Sequence, residues 1–351
     1  MGPNGGTHET VMNWWVHQDS ARTRTRRLVM MMGCAVLATV SMVYLLAVAL
    51  RLLFFGFFAI VGFIYRLFGE DMGSRYAMGD THWFWWPLGF WCAIGFVTVV
   101  TGCCSLAEYL GLRKGTGHLL GKLGGRRIDE APDGLQEKQL VNIVQEMAIA
   151  SSAPVPAVYV LEEEPGINAV SIGFRPRESA IALTRGALDS LSRDQLQAVV
   201  AHEMAHILNG DTRLNMIAIS LVFGLAGIFI IGLGIMFPDE GEGSFLIGLP
   251  LAFIGLLGAI SGKLIQVRIC RQREFLADAC AVQYTRYAPA LAGALRAIES
   301  NPDKSQVKHA ASRELAHMFF AERAKRRWLL FFRTHPKPGQ RISRLEPRIE
   351  K

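Results

Sequence analysis

The sequence predicts a predominantly α-helical integral membrane protein, in which a four-helix transmembrane region is combined with a mixed α/β (α+β) domain. Three observations support this class. Of 351 residues, 51% are hydrophobic and only 19% are charged. Four nearly uncharged runs approach or exceed the length that a helix needs to cross a bilayer, about 20 residues. Between these runs, segments of helical and of alternating periodicity follow one another, as in a folded water-soluble domain.

The apolar runs are the transmembrane candidates, and they comprise residues 28–50, 83–104, 216–237 and 245–262. Burial in a soluble core is the alternative, but four long runs with so few charges are difficult to place in one core. The first run continues after Arg51 as LLFFGFFAIVGFIY (52–65). This stretch is short for a further crossing, so it is either an extension of the first helix or an interfacial segment.

Basic residues determine the expected orientation of the spans. Four arginines precede the first span, and lysines and arginines follow the second and the fourth, whereas the loop PDEGEGS (238–244) carries three acids and no base. The positive-inside rule therefore places residues 1–27, 105–215 and 263–351 in the cytoplasm of a multi-pass cell-membrane protein, in an inner or plasma membrane. Residues 28–104 then form two transmembrane helices with a short external loop, and residues 216–262 form a transmembrane hairpin.

The net charge of +7 lies largely on the expected cytoplasmic face. Such a face suits the anionic headgroups of a lipid bilayer. No basic stretch is interleaved with aromatic residues for base stacking, so nucleic acid is not an expected partner. The expected partners are the bilayer and peptide or membrane-protein substrates, and an oligomer is possible.

The cytoplasmic segments 105–215 and 263–351 predict one mixed domain in two parts. Residues 135–150 carry apolar side chains at helical spacing. Three short segments are predicted strands, the last two joined by the polar turn RPRES: AVYVL (157–161), INAVSIGF (167–174) and AIALT (180–184). Ser192 and Gln195 have the spacing of a capping box that opens a helix.

The stretch VVAHEMAHILNGD (199–211) follows that capping box. His202 and His206 are four residues apart, so they lie on one face of a helix, one turn from each other. This spacing allows both imidazoles to reach one zinc ion, with Glu203 beside them as a general base. Two surface histidines on an amphipathic helix are the alternative.

A zinc site needs a third protein ligand, and RQREFLADA (271–279) offers one. Glu274 can coordinate the metal. Asp278, one helical turn later, can accept a hydrogen bond from a ligand histidine, His202, and fix its tautomer. A solvated helix face, with the two arginines of this stretch as ion-pair partners, is the alternative. The expected cofactor is one Zn²⁺ per chain.

The sequence resembles the membrane-embedded zinc metallopeptidases of the HtpX type, over roughly residues 13–346. The matching stretches are INAVSIG, ALTRGALDSLSRDQLQAVVAHEMAHILNGD, RQREFLADACAVQYT and THPKPGQRISRL. The resemblance implies a zincin-like (gluzincin) metallopeptidase fold, four membrane spans and a cytoplasmic zinc. It also implies ATP-independent proteolysis of damaged or misfolded membrane proteins, a task of protein quality control under stress. Val170 and Ile172 stand where larger or more polar residues are common in the family, which leaves the shape of the substrate pocket open.

The expected ligands lie close to the apolar runs. His206 is ten residues before Met216, and Glu274 is eleven residues after Lys263. If both connections are helical, the zinc lies about 15 Å from the membrane boundary, at 1.5 Å per residue. Such a position suits an enzyme that cleaves loops and tails of membrane proteins.

Two sets of residues are predicted to contact the substrate. The strand that begins with Asn168 and Ala169 is expected to hold a substrate extended by strand addition, with Asn168 bonded to the substrate backbone. An asparagine that forms only a local turn is the alternative. The expected reaction is peptide hydrolysis, with Glu203 taking the proton of the attacking water and passing it to the leaving amine.

The segment that resembles the C-terminal motif of the family contributes His335 and Arg341. His335 is a catalytic candidate and Arg341 a substrate-binding candidate, because the tetrahedral intermediate bears an oxyanion that the metal need not stabilise alone. The alternatives are a histidine that caps the following helix and an arginine paired with Glu314 or Glu346.

The sequence thus leaves three functions open. The first is a zinc-dependent membrane endopeptidase for misfolded or damaged membrane proteins, and the second is a processing protease for one defined membrane precursor. The third is a non-catalytic membrane scaffold with a vestigial zinc site. The complete ligand set with an adjacent glutamate argues against the scaffold, because a closed structural zinc site needs no general base.

Overall fold

The computed structural model describes residues 14–67, 92, 95–107, 110, 116–173, 175–238, 243–300 and 335–346. The chain divides into two compact units. The sheet unit contains the described parts of Met1–Val29, Leu112–Asn215 and Gln266–Lys351. The helix unit contains the described parts of Met30–Gly111 and Met216–Ile265.

The elements follow in chain order. The first are helices α1 (Trp14–Leu67), α2 (Gly95–Ala107) and α3 (Thr116–Lys122), strand β1 (Gly125–Arg127) and helix α4 (Gly134–Ser151). Next come strands β2 (Ala157–Leu161) and β3 (Ala169–Ile172), the 3₁₀ turn Pro176–Glu178 and strand β4 (Ala180–Thr184). The last are helices α5 (Arg185–Ser190), α6 (Arg193–Leu208), α7 (Asp211–Met236), α8 (Phe245–Thr285), α9 (Ala288–Ser300) and α10 (Pro338–Leu345). The described chain is therefore mostly helical, as predicted.

Three helical stretches are long and apolar enough to cross a membrane: Gln18–Leu50 within α1, helix α7 and helix α8. They contain the first, third and fourth predicted spans, so the prediction of a multi-pass membrane protein is confirmed to that extent. Half of the predicted second span, 83–104, lies outside the described residues, and α2 is the shorter apolar helix at its end. The count of four spans therefore stays a prediction.

Helix α1 is continuous from Trp14 to Leu67. Residues 52–65 therefore extend the first helix, which is one of the two predicted alternatives. The N-terminal turns of α1 belong to the sheet unit, where Gln18 Nε2 donates to Gln283 Oε1 at 2.6 Å. Ala21 packs in a buried cluster with Leu276 of α8. The sequence predicted only a cytoplasmic segment at 1–27, because no apolar periodicity marks this stretch.

Glycines bring the helices of the helix unit close together. A Cβ atom on Gly232 of α7 would collide with the backbone of Ala252 in α8, and one on Gly255 would collide with the backbone of Phe229. The two helices therefore pack with their backbones in contact, as small residues allow in membrane helices.

The sheet of the sheet unit has the order β1-β2-β4-β3. Strands β2 and β4 are parallel, and the outer two pairings are antiparallel. The predicted strands at 157–161 and 180–184 form as expected. The predicted strand at 167–174 forms over the shorter range Ala169–Ile172. The predicted turn contains the 3₁₀ turn Pro176–Glu178. Strand β1 was not predicted, because three residues are too few to show alternation.

Helix α6 lies at the centre of the sheet unit and is buried along most of its length. The predicted capping box is present: Ser192 accepts from the Gln195 N–H, and the Gln195 side chain accepts from the Ser192 N–H. The helix ends at Leu208, and α7 begins at Asp211. The premise of one continuous helix from His206 to Met216 is therefore wrong, whereas Glu274 does lie inside the continuous helix α8.

An ion cluster around the buried Glu137 attaches α4 to the sheet. Glu137 is 1% exposed, and its Oε1 lies 2.6 Å from Arg126 and 3.0 Å from Arg185. Its Oε2 accepts from the Asp133 N–H at 2.7 Å. Burial raises the pKa of Glu137, but the Asp133 N–H and the two arginines outweigh burial and hold that pKa below its usual value of 4.5.

Candidate metal centre

Helix α6 places the two histidines side by side. His202 and His206 lie one turn apart, their rings meet edge to face with centroids 4.6 Å apart, and their Nε2 atoms are separated by 3.0 Å. The side chain of His202 is fully buried and that of His206 is 14% exposed. Two surface histidines, the alternative interpretation, are therefore excluded.

Helix α8 brings Glu274 to the same point. Its Oε1 lies 3.3 Å from His206 Nε2, and its Oε2 lies 3.6 Å from His202 Nε2. Glu274 and Asp278 are 4% and 5% exposed. The alternative of a solvated helix face is therefore wrong, because both carboxylates point into the interior.

A carboxylate contacts the outer nitrogen of each histidine. Asp278 Oδ1 lies 3.0 Å from His202 Nδ1, which is the contact expected from the sequence. Asp211 Oδ2 lies 2.6 Å from His206 Nδ1. The sequence motifs did not single out Asp211, and its one local signal is the preceding glycine, a residue that often ends a helix. Both imidazoles consequently direct Nε2 toward each other and toward Glu274.

Arg341 lies behind this centre and is 2% exposed. Its Nε and Nη2 atoms lie 2.9 and 2.6 Å from the two carboxylate oxygens of Asp278, and its Nη1 lies 3.2 Å from Glu274 Oε2. Of the alternative partners, Glu346 pairs with another arginine, and Glu314 lies outside the described residues. The donors of Arg341 are directed at two buried carboxylates, so a contact of Arg341 with the substrate stays a prediction.

Three buried groups at the centre keep polar atoms that form no hydrogen bond with the described residues: Glu203 Oε2, Glu274 Oε2 and both ring nitrogens of His335. Glu203 is 1% exposed and His335 is 7% exposed. His335 Nδ1 lies 3.1 Å from Glu274 Oε1, an ion-pair distance. The N-cap of α10 is Lys337, so His335 does not cap that helix. Buried polar atoms of this kind require a partner such as water or a ligand.

An open cleft with about 500 Å³ of space adjoins the centre. His206, Glu274 and His335 line it together with Ser171 of strand β3 and residues from α7 and α8. Strand β3 is one of the two edge strands of the sheet within the described chain. The cleft thus connects the ligand atoms with the strand that was predicted to hold the substrate.

Asn168 and Ala169 lie at the start of β3, and both are buried. The Asn168 side chain accepts from the Ala169 N–H at 3.0 Å, and the Asn168 backbone N–H donates to Thr184 Oγ1 at 2.9 Å. Ala169 pairs with Leu183 of β4. This local contact agrees with the alternative interpretation of Asn168, so a bond from Asn168 to the substrate backbone stays a prediction.

The electrostatics at His206 favour a cation. Burial alone would lower the pKa of His206, but the carboxylates of Asp211 and Glu274 outweigh burial and raise that pKa well above its usual value of 6.5. The same carboxylates attract any cation that reaches Nε2. A proton and a metal ion therefore compete for this nitrogen.

A zinc ion fits this donor set. Zinc–ligand distances of about 2.0–2.1 Å in a tetrahedron separate neighbouring donor atoms by about 3.3 Å. The two Nε2 atoms are 3.0 Å apart, Glu274 Oε1 lies 3.3 Å from that of His206, and Glu274 Oε2 lies 3.6 Å from that of His202. One donor atom from each of the three residues lies within 4.8 Å of the other two. Two imidazoles and one carboxylate would suit a catalytic zinc site, which keeps a fourth position open, rather than a structural one.

The model of Peptidase family M48 matches residues 134–349. A Protease HtpX homolog of Streptococcus thermophilus is 30% identical over 268 residues, which cover 72% of this chain and 83% of that protein. A Protease HtpX homolog of Tropheryma whipplei is 35% identical over 215 residues, 59% of this chain and 72% of that protein. The crystal structure of S. mikatae Ste24p matches with a TM-score of 0.41 and 19% identity, over 84% of this chain and 66% of that chain.

The matched region contains every residue of the buried centre, from the histidine pair on α6 to Arg341 on α10. Three apolar helices long enough to cross a membrane accompany it. The chain therefore belongs to peptidase family M48 and is a membrane metallopeptidase of the HtpX type.

Proposed function

We propose that this chain is a zinc-dependent endopeptidase that cleaves misfolded or damaged membrane proteins at the cytoplasmic face of the cell membrane. The observation that carries the proposal is the set of His202, His206 and Glu274, next to Glu203, whose Oε2 accepts no hydrogen bond from the described residues. A structural zinc site has no use for that glutamate, whereas a hydrolytic site does.

His202, His206 and Glu274 would hold the ion. When bound, zinc supplies Lewis-acid chemistry, which polarises the scissile carbonyl and makes a water molecule more acidic. Arg341 and Asp278 keep the ligands in place from behind, since Asp278 bonds His202 Nδ1 and Arg341 contacts both acids. Such outer contacts fix the orientation of the ligand side chains.

Glu203 is the general base of the proposed reaction. It follows His202 directly on α6, it is almost fully buried, and Oε2 forms no hydrogen bond with the described residues. An unpaired carboxylate oxygen in this position accepts a proton from the attacking water and later donates it to the leaving amine. Because no described residue donates a hydrogen bond to that oxygen, it is available for the transfer.

His335 is the candidate for oxyanion stabilisation. It lines the cleft beside Glu274, and its Nε2 forms no hydrogen bond with the described residues. An imidazole N–H directed into the cleft stabilises the negative charge that develops on the scissile carbonyl oxygen. Strand β3 supports a substrate held in an extended conformation, because Ser171 lines the same cleft.

The membrane substrates and the cytoplasmic orientation rest on other observations. Helices α7 and α8 are candidate spans, and α8 also carries Glu274, so one helix contains both membrane-compatible and ligand residues. The basic segments beside the apolar runs favour a cytoplasmic ligand set. Membrane proteins and the bilayer are accordingly the proposed partners, and zinc is the proposed cofactor.

The test separates the metal ligand from the base. We expect Glu274→Ala to lower the zinc content of the purified protein, because it removes a ligand. We expect Glu203→Gln to retain zinc and to lose peptidase activity, because it removes only the proton acceptor. The control is Asp189→Asn, which changes an exposed carboxylate on α5 and should retain both the zinc content and the peptidase activity.

Full zinc occupancy in Glu274→Ala would remove Glu274 from the ligand set. Full activity in Glu203→Gln would contradict the proposed base, and a zinc-loaded wild type without any peptidase activity would favour the scaffold. A proteomic comparison of membrane fractions with wild-type protein and with Glu203→Gln identifies the substrates. Accumulation of one precursor, instead of many damaged proteins, would indicate the processing protease.

A further inference from the structure

The residues Asn209, Gly210 and Asp211 directly follow the helix that carries the histidine pair. Asp211 is five positions after His206, and on an uninterrupted helix residues five apart do not share a face. Nevertheless Asp211 Oδ2 lies 2.6 Å from His206 Nδ1. The chain between these two residues must therefore leave the helical path and turn back.

The turn has a local cause. Gly210 has a φ of +66°, in the left-handed region that glycine adopts without strain. Asn209 is the C-cap of α6, and its side-chain Nδ2 donates to the carbonyl oxygen of Ala205 at 2.8 Å. The helix thus ends at Leu208, two residues after His206, and the first residue of α7 directs its carboxylate onto the imidazole.

This contact determines which ring nitrogen of His206 keeps a lone pair that can coordinate a metal ion. An ionised carboxylate only accepts hydrogen bonds, so Nδ1 of His206 carries the hydrogen and donates it to Asp211. Nε2 then keeps its lone pair and faces Glu274 Oε1 at 3.3 Å and His202 Nε2 at 3.0 Å. A ligand imidazole in the opposite tautomer could not coordinate through Nε2.

Arg273 holds Asp211 in turn. The Arg273 guanidinium forms an ion pair with Asp211 Oδ1, and its Nη2 donates to the carbonyl oxygen of Asn209 at 2.8 Å. The Arg273 and Asp211 side chains are only 11% and 9% exposed. Arg273 directly precedes Glu274 on α8, so the helix that contributes one ligand also fixes the partner of another.

We propose that Asp211 is a positioning residue for the zinc ligand His206, and that Arg273 positions Asp211. The inference rests on the proposed function, because it assigns to Asp211 a task at the zinc site. On the side of His202, Asp278 and Arg341 have the same arrangement, an imidazole held by a carboxylate that is held by an arginine. Both histidines lie on α6, and α8 contributes Asp278 to one arrangement and Arg273 to the other.

The experiment measures zinc affinity rather than activity alone. The full chain is purified in detergent and depleted of metal, and the zinc dissociation constant is measured by competition with a chromogenic chelator. We expect Asp211→Ala to weaken zinc binding roughly 10–100-fold, as the loss of such a partner commonly does. Asp211→Asn should weaken it less, because an amide oxygen still accepts from Nδ1–H. Asp189→Ala is the matched control and should bind zinc as the wild type does.

Two further measurements distinguish positioning from a purely structural role. The absorption spectrum of the cobalt-substituted protein should change in Asp211→Ala, since it reports ligand geometry, and Arg273→Gln should change it in the same direction. If Asp211→Ala does not fold, Asp211→Asn and Arg273→Gln decide the question by their zinc dissociation constants. Unchanged zinc affinity in these variants, with a wild type that binds zinc, would overturn this inference alone. A wild type that does not bind zinc would overturn the proposed function with it.

Discussion

Replacing Arg341 by methionine should destabilise the sheet unit strongly, because it leaves two acids without their counter-charge. Arg341 is 2% exposed and holds both carboxylate oxygens of Asp278 at 2.9 and 2.6 Å and Glu274 Oε2 at 3.2 Å. Methionine fills a similar volume but carries no donor. Removing one partner of a buried ion pair costs about 3–5 kcal/mol, most of which is the penalty of the buried charge that remains.

The expected shift is large enough to measure in the purified protein. For a unit of this size, 1 kcal/mol lowers the melting temperature by about 2–4 °C, so the variant should melt roughly 6–20 °C below the wild type. Arg341→Lys keeps the charge but cannot hold both oxygens of Asp278 with a planar fork, and it should lose about 1–3 kcal/mol. Zinc should recover part of the loss in both variants, because a bound cation neutralises Glu274.

The matched control is Arg296→Met, which makes the same replacement in an exposed pair. Arg296 contacts Glu346, and its side chain is 52% exposed. An exposed ion pair contributes about 0–1 kcal/mol, so this variant should melt within a few degrees of the wild type. The assay is thermal unfolding of the detergent-solubilised protein, metal-free and zinc-loaded. Equal melting temperatures for Arg341→Met and Arg296→Met would refute the reasoning that the buried acids depend on this guanidinium.

Three other predictions follow from the same features. Asp278→Asn should keep the fold and weaken both zinc retention and turnover about 10–100-fold without abolishing either, and an unchanged zinc dissociation constant would mean that Asp278 does not orient His202. A cysteine-accessibility probe should label the loop 238–244 only from outside the cytoplasm and 105–130 only from inside, and labelling of both from one side would contradict the four-span topology. Glu137→Gln should lower stability by about 1–3 kcal/mol at neutral pH. The folded-state pKa of Glu137 is lowered, so its ionised form stabilises the fold fully above pH 4.5, and this stability is lost as the pH falls through the folded-state pKa. The free energy of unfolding of the variant should therefore depend less on pH in that acidic range than that of the wild type.

The part of the site that follows from local pattern was predictable from the sequence. The four-residue spacing of His202 and His206 fixes their common face on any helix, and the capping box at Ser192 marks where that helix begins. The strands at 157–161 and 180–184 are short apolar segments bounded by polar turns, and they form at the predicted residues. Glu274 and Asp278 were selected by their own helical spacing together with the need of the histidine pair for a third metal ligand.

Several contacts at the site are decided only by the tertiary structure. Asp211 reaches His206 because the chain turns back at Gly210, and helical spacing by itself would place the two residues on different faces. Arg341 was expected to bind substrate, yet it lies behind the donor atoms, 63 positions from its partner Asp278. No local window contains both residues of such a pair. Which side chains share a helix face depends on residues a few positions apart, so a short stretch of sequence predicts it. Which buried charges pair depends on which helices and strands pack together, and that packing is determined by the hydrophobic core as a whole.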